Sequence, residues 1–410
     1  MSLEVKQAPA VPVAGVALCT LSAGVKSDGS ADLVVVRLDE QSRCAAVFTR
    51  NAFCAAPVTV CKEHLQASRG LVRALLINSG NANAGTGKPG LQMAREHCQA
   101  LALALGVSPE TVLPFSTGVI GQLLPNASMR SAIAKAGSVL AKESSDDQSA
   151  WTQAAHGIMT TDTQPKLTSQ CFDLGGETVT ITGMAKGAGM IQPDMATLLA
   201  YVFTDAAIKQ VDLDEALRRA AAVSFNAITV DSDTSTNDSL VLVSTGVGRK
   251  IDSTSDDWIE FNKALECVCI DLAKSIVRDA EGATKFISVH VNGGKSVGEC
   301  RQVGYAVANS PLVKTAMFAS DANVGRLLMA IGKAGVPELD AELVKVSIGN
   351  VLAFESGGIA SGYTEERGAA VMAGESIDVT VELGRGAAEA CIYTSDLSHE
   401  YVSINADYRS

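Results

Sequence analysis

The chain is poor in aromatic residues, which make up 4% of its 410 positions. Its core must be filled by Ala, Val, Leu and Ile rather than by large rings. Basic charge is also short: 33 Lys and Arg face 45 Asp and Glu, a net charge of −12. That balance argues against a protein that neutralises nucleic-acid phosphates and against a polybasic membrane-surface protein. No apolar run reaches the ~18 residues needed for a membrane helix. The five His residues form no H-x-x-x-H pair, which removes the zinc-hydrolase motif. The ten Cys residues contain no C-x-x-C. The closest pair, Cys267 and Cys269, lies in a helical pattern. Two positions along a helix are ~200° apart, so these thiols cannot share one metal. Reduced thiols acting as small buried hydrophobes are expected, with no metal site.

Other motifs are absent for equally physical reasons. A nucleophile elbow of the form G-x-S-x-G does not occur, so the usual serine-hydrolase turn is missing. Gly87-Lys88 is followed by Pro89 and preceded by Ala82 where a phosphate loop needs Gly. Gly294-Lys295-Ser296 lacks the same glycine, because Val289 stands there, and both fail as phosphate loops. Asp231, Asp233 and Ser235 begin like a calcium loop, but Thr236 replaces the turn Gly and Leu242 the last carboxylate. The Ala- and Val-rich stretch 8–25 carries Pro9 and Pro12, and Glu4 offsets Lys6 before it. It lacks the cationic start of a secretion signal. Bulky Leu18 before Cys19 also opposes a lipoprotein site. A cytoplasmic location is the expectation.

Strand and helix patterns alternate along the whole chain. Apolar runs at 33–38, 71–77, 178–181, 240–244, 286–291, 344–348, 377–383 and 390–394 read as strands. Periods near 3.6 at 91–105, 128–141, 213–223, 257–280 and 324–331 read as helices. Gly282 marks a stop after the helix expected to end near Ala280. Polar residues 142–149 read as a surface loop. No repeat or clear linker divides the chain, which points to one or two closely packed α/β or α+β units.

The stretch that carries chemistry is Met184 to Tyr201, MAKGAGMIQPDMATLLAY. A Lys in a Gly-rich turn leads through Gln192-Pro193-Asp194 to Thr197, the expected first residue of an apolar strand. Small Ala196 leaves its carbonyl sterically open to the Thr197 hydroxyl. Attack there would shift the acyl group to oxygen and, after hydrolysis, start a new chain at Thr197. A free α-amine titrates near ~8 and can serve its own side chain as general base. The alternative reading of the same residues is an ordinary threonine at a strand entry.

This stretch resembles the self-cleaving ornithine acetyltransferase (glutamate N-acetyltransferase) family of arginine biosynthesis, whose signature has the form KG(S/A)GM-x-x-P-(N/D)-MAT. Further matches lie along nearly the whole chain: Phe48–Asn51 with Ala55–Val58, Asn78–Ala84, Ser116–Gly121, Thr160–Thr163, Ser224–Asp238 and Ile404–Tyr408. The resemblance implies a mixed α/β (α+β) fold of the N-terminal-nucleophile type, with stacked sheets flanked by helices. It implies cleavage between Ala196 and Thr197 into chains 1–196 and 197–410, assembled as two α and two β chains. Thr197 would be the nucleophile, and Thr117 and Gly118 would stabilise the oxyanion. Substrate would meet Thr160 (Thr161 matches equally well), Lys186, Thr197, Glu281, Asn405 and the terminal Ser410. Lys186 suits a carboxylate, and Glu281 suits the amine of ornithine.

The implied reaction passes acetyl from N2-acetylornithine through Thr197 to L-glutamate, without metal or organic cofactor. Some family members also use acetyl-CoA as donor, a point no residue here decides. Rival readings are a self-cleaving aminopeptidase or amidase and a non-catalytic metabolite-binding protein. Two segments depart from the family pattern: Ser232 stands where Gly is expected, and Ala322 and Val324 replace Pro and Trp in Asp321–Arg326.

Overall fold

The computed structural model describes residues 3–5, 9–141, 147–192 and 198–406. Among them, the strands form three sheets of four, five and seven members. The first sheet runs Val16–Leu21, Leu33–Leu38, Ala74–Asn81 and Val112–Val119. Its first three strands are antiparallel and the last pair is parallel. The second runs Arg43–Phe48, Ser239–Ser244, Leu199–Thr204, Glu177–Lys186 and Lys166–Leu174.

These two sheets pack face to face, and the sequence shows why. Leu33–Leu38 is an almost unbroken apolar run, the pattern of a strand covered on both faces. Val34 and Val36 enter the inter-sheet core, while Leu33 and Val35 face the helices Gly87–Leu105 and Asn126–Leu140. Leu199–Thr204 is buried throughout for the same reason. Its Leu199, Tyr201 and Phe203 meet the first sheet, and Ala200 and Val202 meet the helices Gln210–Val223 and Asp256–Arg278. The result is four layers: helices, sheet, sheet, helices. The scarce aromatics are spent between the sheets, where Phe115 meets Tyr201 edge-on at 5.1 Å and Trp151 meets Phe203 at 5.4 Å.

The third sheet runs Gly358–Ile359, Val351–Glu355, Lys345–Ile348, Ser376–Glu382, Phe286–Gly294, Ala388–Ser395 and Ile228–Thr229. Helices Val297–Ala308, Pro311–Phe318 and Val324–Gly332 cover one face of it. Ser376–Glu382 alternates buried and open positions, as expected of a strand covered on one side only. Phe286 and Ile228 join the core under helix Asp256–Arg278 and so tie this sheet to the layered body.

The expected mixed fold of stacked sheets flanked by helices is the one observed, and each expected strand and helix lies on an observed one. The boundaries moved in places. The strand expected from Leu71 starts at Ala74, and Leu71 makes only an isolated bridge to Arg43. The helix expected to reach Ala280 ends at Arg278 with Asp279 as its cap. The stretch expected as a loop up to Ser149 already begins helix Gln148–Gly157, capped by Asp147. The thiol expectation holds for most cysteines, whereas Cys171 and Cys267 are exposed. Cys267 lies open while Cys269 is buried, which agrees with opposite helix faces. Among the described residues, no group of three His, Cys, Asp or Glu is placed to hold a metal, and no helix is long and apolar enough to cross a membrane.

Phe203 is fully buried between the two sheets. Phe203→Ala is expected to cost about 3–5 kcal/mol of stability, read as a shift in denaturant midpoint at constant slope.

Candidate active site

The site forms where the first two sheets end. Strands Ala74–Asn81 and Val112–Val119 run parallel to a register shift at Gly80 and Asn81. There the Asn-rich turn folds onto the loop after Ser116. The Asn78 Nδ2 donates to the Asn81 carbonyl at 2.8 Å, and the Ser116 hydroxyl donates to Asn78 Oδ1 at 2.6 Å. From the second sheet, Asn237 Nδ2 donates to the carbonyls of Ala82 and Ser116 at 2.7 and 2.9 Å. Gly118 takes φ +129°. A Cβ there would stand 2.2 Å from the Gly80 carbonyl carbon, so only glycine lets the two strand ends touch.

Lys186 ends the strand Glu177–Lys186 in the facing sheet. Its Nζ donates to Thr117 Oγ1 at 3.3 Å and lies 3.9 Å from Asp162 Oδ2. Lys186 and Asp162 are buried, and burial lowers the Lys186 pKa below its ordinary value against the pull of Asp162. Across the opening, Glu281 is pinned over the Gly-rich turn. Its N–H donates to the Ala188 carbonyl at 2.9 Å, and Asn405 Nδ2 donates to Glu281 Oε2 at 2.8 Å. A Cβ at Gly189 would lie 2.4 Å from that same Oε2. Asn405 reaches the site on the helix His399–Ala406, whose Ser398 hydroxyl binds the Gly282 carbonyl at 2.6 Å. Gly282 at φ +69° is indispensable here, because a Cβ would stand 2.6 Å from the Tyr401 nitrogen.

One cleft is therefore bordered by Thr117, Gly118, Thr160, Lys186, Glu281 and Asn405, residues the sequence had marked. Thr161 borders it too, so the two adjacent threonines remain equivalent in this respect. Ala196, Thr197 and Ser410 lie outside the described residues.

A buried ion cluster under the cleft carried no expectation from the sequence. Lys166 Nζ sits 2.6 Å from Asp162 Oδ1 and 2.6 Å from Asp279 Oδ2, with all three side chains fully buried. Asp162 also accepts the Gly187 N–H at 2.6 Å and the Thr160 N–H at 3.0 Å. Asp279 accepts the Thr163 N–H at 3.0 Å and its hydroxyl. Burial raises the Asp162 carboxyl, but Lys166, Lys186 and these hydrogen bonds outweigh it and hold it well below the usual carboxylate range. The available signal was Asp162 within the Thr160–Thr163 match, which said nothing of Lys166 or Asp279.

A second missed carboxylate is Asp231. It accepts the N–H groups of Met190 and Ile191 at 2.6 and 2.8 Å and the Tyr401 hydroxyl at 3.1 Å. It thus joins the Gly-rich turn to the C-terminal helix. Ser232 beside it adopts φ +65°, so the turn keeps a glycine-like conformation without a glycine. The other departure is remote from the cleft: Ala322 and Val324 are buried in the third-sheet core, and Asn323 caps the helix that follows.

Lys186 and Glu281 border one cleft beside a tight glycine turn, an arrangement suited to an enzyme that holds a small molecule carrying both charges. A sequence profile of the ArgJ family matches residues 17–410, and the chain belongs to that family. It is 51% identical over 402 residues to the arginine biosynthesis bifunctional protein ArgJ of Pseudomonas syringae pv. tomato, covering 97% of both chains. The chain is thus an acetyltransferase of arginine biosynthesis. It is also similar to two solved structures. The arginine biosynthesis bifunctional protein of Bacillus halodurans is 38% identical, with 50% of this chain and 97% of that one covered, at TM-score 0.48. The ornithine acetyltransferase of Mycobacterium tuberculosis, solved with ornithine, is 31% identical, with 48% and 100% covered, at TM-score 0.39.

A carboxylate with a depressed pKa adds stability above its unfolded value of ~3.9, and that stability is lost as pH falls through the folded pKa. Asp162→Asn would leave Lys166 only partly compensated. It is expected to cost about 3–5 kcal/mol at pH 7 and to flatten the loss of stability below pH ~4, read by denaturant titrations across pH.

Proposed function

We propose that this enzyme carries acetyl from N2-acetylornithine to L-glutamate on Thr197, after cutting itself between Ala196 and Thr197. Residues 1–196 and 197–410 then form the α and β chains. The Thr197 hydroxyl attacks the acetyl carbonyl and its α-amine takes the hydroxyl proton. Thr117 and the backbone at Gly118 stabilise the oxyanion. The amide C–N bond breaks, and ornithine leaves with the proton held by the α-ammonium. The acetyl-Thr197 ester is then attacked by the glutamate amine through the same oxyanion site, releasing N-acetylglutamate and restoring the hydroxyl.

The observation that carries this reading is the meeting of Thr117 and Gly118 with Lys186 and Glu281 around one cleft. Lys186 can hold the α-carboxylate that donor and acceptor share. Glu281, braced by Asn405, faces the free amine of ornithine, and Thr160 borders the bound substrate. Ser410 closes the pocket in this reading. Two α and two β chains working in the cytoplasm complete the proposal. The second sheet favours a cut pair that stays together, because Leu199–Thr204 hydrogen-bonds to Glu177–Lys186 across the proposed cut.

Denaturing intact mass is the first test. Wild type is expected to give fragments of 1–196 and 197–410, and Thr197→Ala a single 42.4 kDa chain. Wild-type protein that remains one chain would overturn the reading. With N2-acetylornithine, ornithine release is expected to depend on glutamate. Glutamate-independent release would instead make the enzyme a hydrolase. Acetyl-CoA in place of N2-acetylornithine tests the second donor.

Thr117→Ala is expected to lower kcat about 10²–10³-fold with little change in KM. Because Lys186 sits below its ordinary pKa, KM should rise on the alkaline side before the usual lysine range, and Lys186→Arg should move that rise to higher pH.

A further inference from the structure

Most residues around the cleft are polar, charged or glycine, and three carry apolar side chains: Ala82, Ile120 and Met190. Met190 belongs to the charged side. It follows Gly189, which lies against Glu281, and its N–H donates to Asp231 at 2.6 Å. Ala82 and Ile120 belong to the side of Thr117 and Gly118. The Ala82 N–H donates to the Val119 carbonyl at 2.9 Å. The Ala82 carbonyl accepts from Asn237, which also holds the Ser116 carbonyl. Ile120 packs against Ala55, Val58, Ala82 and Ala84, and a β-carbon at Gly85 would stand 3.5 Å from its Cγ2. The next residue, Gly121, donates its N–H to the Ala84 carbonyl at 2.8 Å. Ile120 is thus seated on a floor of small side chains, with its backbone held on both flanks.

The donor's covalent geometry is equally restrictive. Lys186 Nζ lies 3.3 Å from Thr117 Oγ1, so a carboxylate on this ammonium keeps the neighbouring acetamide beside Thr117 and Gly118. In a trans amide the acyl methyl stands across the C–N bond, about 3.8 Å from the substrate Cα. With carboxylate and carbonyl oxygen both held, the methyl turns away from Lys186 and Glu281. Resting on the acetyl transfer proposed above, we infer that Ile120, backed by Ala82, sets the length of the acyl group. This wall receives one methyl and excludes longer acyl chains. It makes van der Waals contact only, so the bonds formed and broken remain those of the transfer. Size alone then discriminates, and one methylene against an apolar wall is worth about 10–200-fold in kcat/KM.

The test compares kcat/KM for N2-acetyl-, N2-propionyl- and N2-butyrylornithine, with glutamate as acceptor. Wild type is expected to lose about 10–200-fold from acetyl to propionyl. Ile120→Ala opens the wall and should shrink that loss by about tenfold or more, with butyryl gaining most. Ile120→Val removes a single carbon and should narrow the gap in the same direction by less. Its melting temperature should stay near that of wild type, so the test stands even if Ile120→Ala does not fold. Met190→Ala trims the apolar side chain on the charged side and should leave the acetyl-to-propionyl ratio as in wild type.

Wild type that turns over propionyl as well as acetyl would overturn the inference. So would an unchanged ratio in the Ile120 variants, or a gap that closes in Met190→Ala instead, which would move the wall to the Gly-rich turn. Wild type that releases no ornithine from N2-acetylornithine is the separate result that removes the proposed function itself, and the acyl wall with it.

Discussion

The Lys166 ammonium, closed off from water between Asp162 and Asp279, is the contact on which the rest of the site hangs. Three fully buried charges persist only when every lone pair and proton is used. Here the remaining acceptors go to backbone N–H groups of Thr160, Thr163 and Gly187. The end of strand Glu177–Lys186, the loop before Lys166 and the end of helix Asp256–Arg278 are thereby fixed to one another. Glu281, two residues beyond Asp279, and Lys186, one residue before Gly187, inherit their positions from this cluster.

The layered body supplies the frame. Its two stacked sheets place the end of Val112–Val119 opposite the end of Glu177–Lys186, so that Thr117 and Lys186 meet although they are 69 residues apart. Small side chains make that approach feasible. A β-carbon at Gly118 or Gly189 would collide with Gly80 or Glu281. The second sheet interleaves strands from both sides of residue 196, with Leu199–Thr204 and Ser239–Ser244 set beside Arg43–Phe48 and Glu177–Lys186.

Much of this was legible in the sequence, for reasons that can be located. Leu33–Leu38 and the helix around Phe261 announced themselves because burial on two faces or one stripe imposes a hydrophobic pattern. The short helix Ala56–Ser68 and the strand Lys166–Leu174 did not, since tertiary contacts rather than periodicity secure them. The marked site residues came from motif resemblance, and Thr117, Gly118, Thr160, Lys186, Glu281 and Asn405 do share one cleft. Lys166 and Asp279 carried no pattern of their own, because a lone acid or lysine reads as a surface charge until its burial is known, and Asp231 showed only the start of a calcium loop that its neighbours did not complete.

The sequence by itself determined the class of fold, the absence of the familiar metal and phosphate motifs, and the family, because those depend on local spacing and residue type. Only the tertiary structure decided which charges are buried and what they face. Burial and pairing arise between segments more than a hundred residues apart, as with Lys166 and Asp279 or Tyr401 and Asp231. A carboxylate's chemistry follows from the dielectric and the partners around it, and neither is written in the order of the residues.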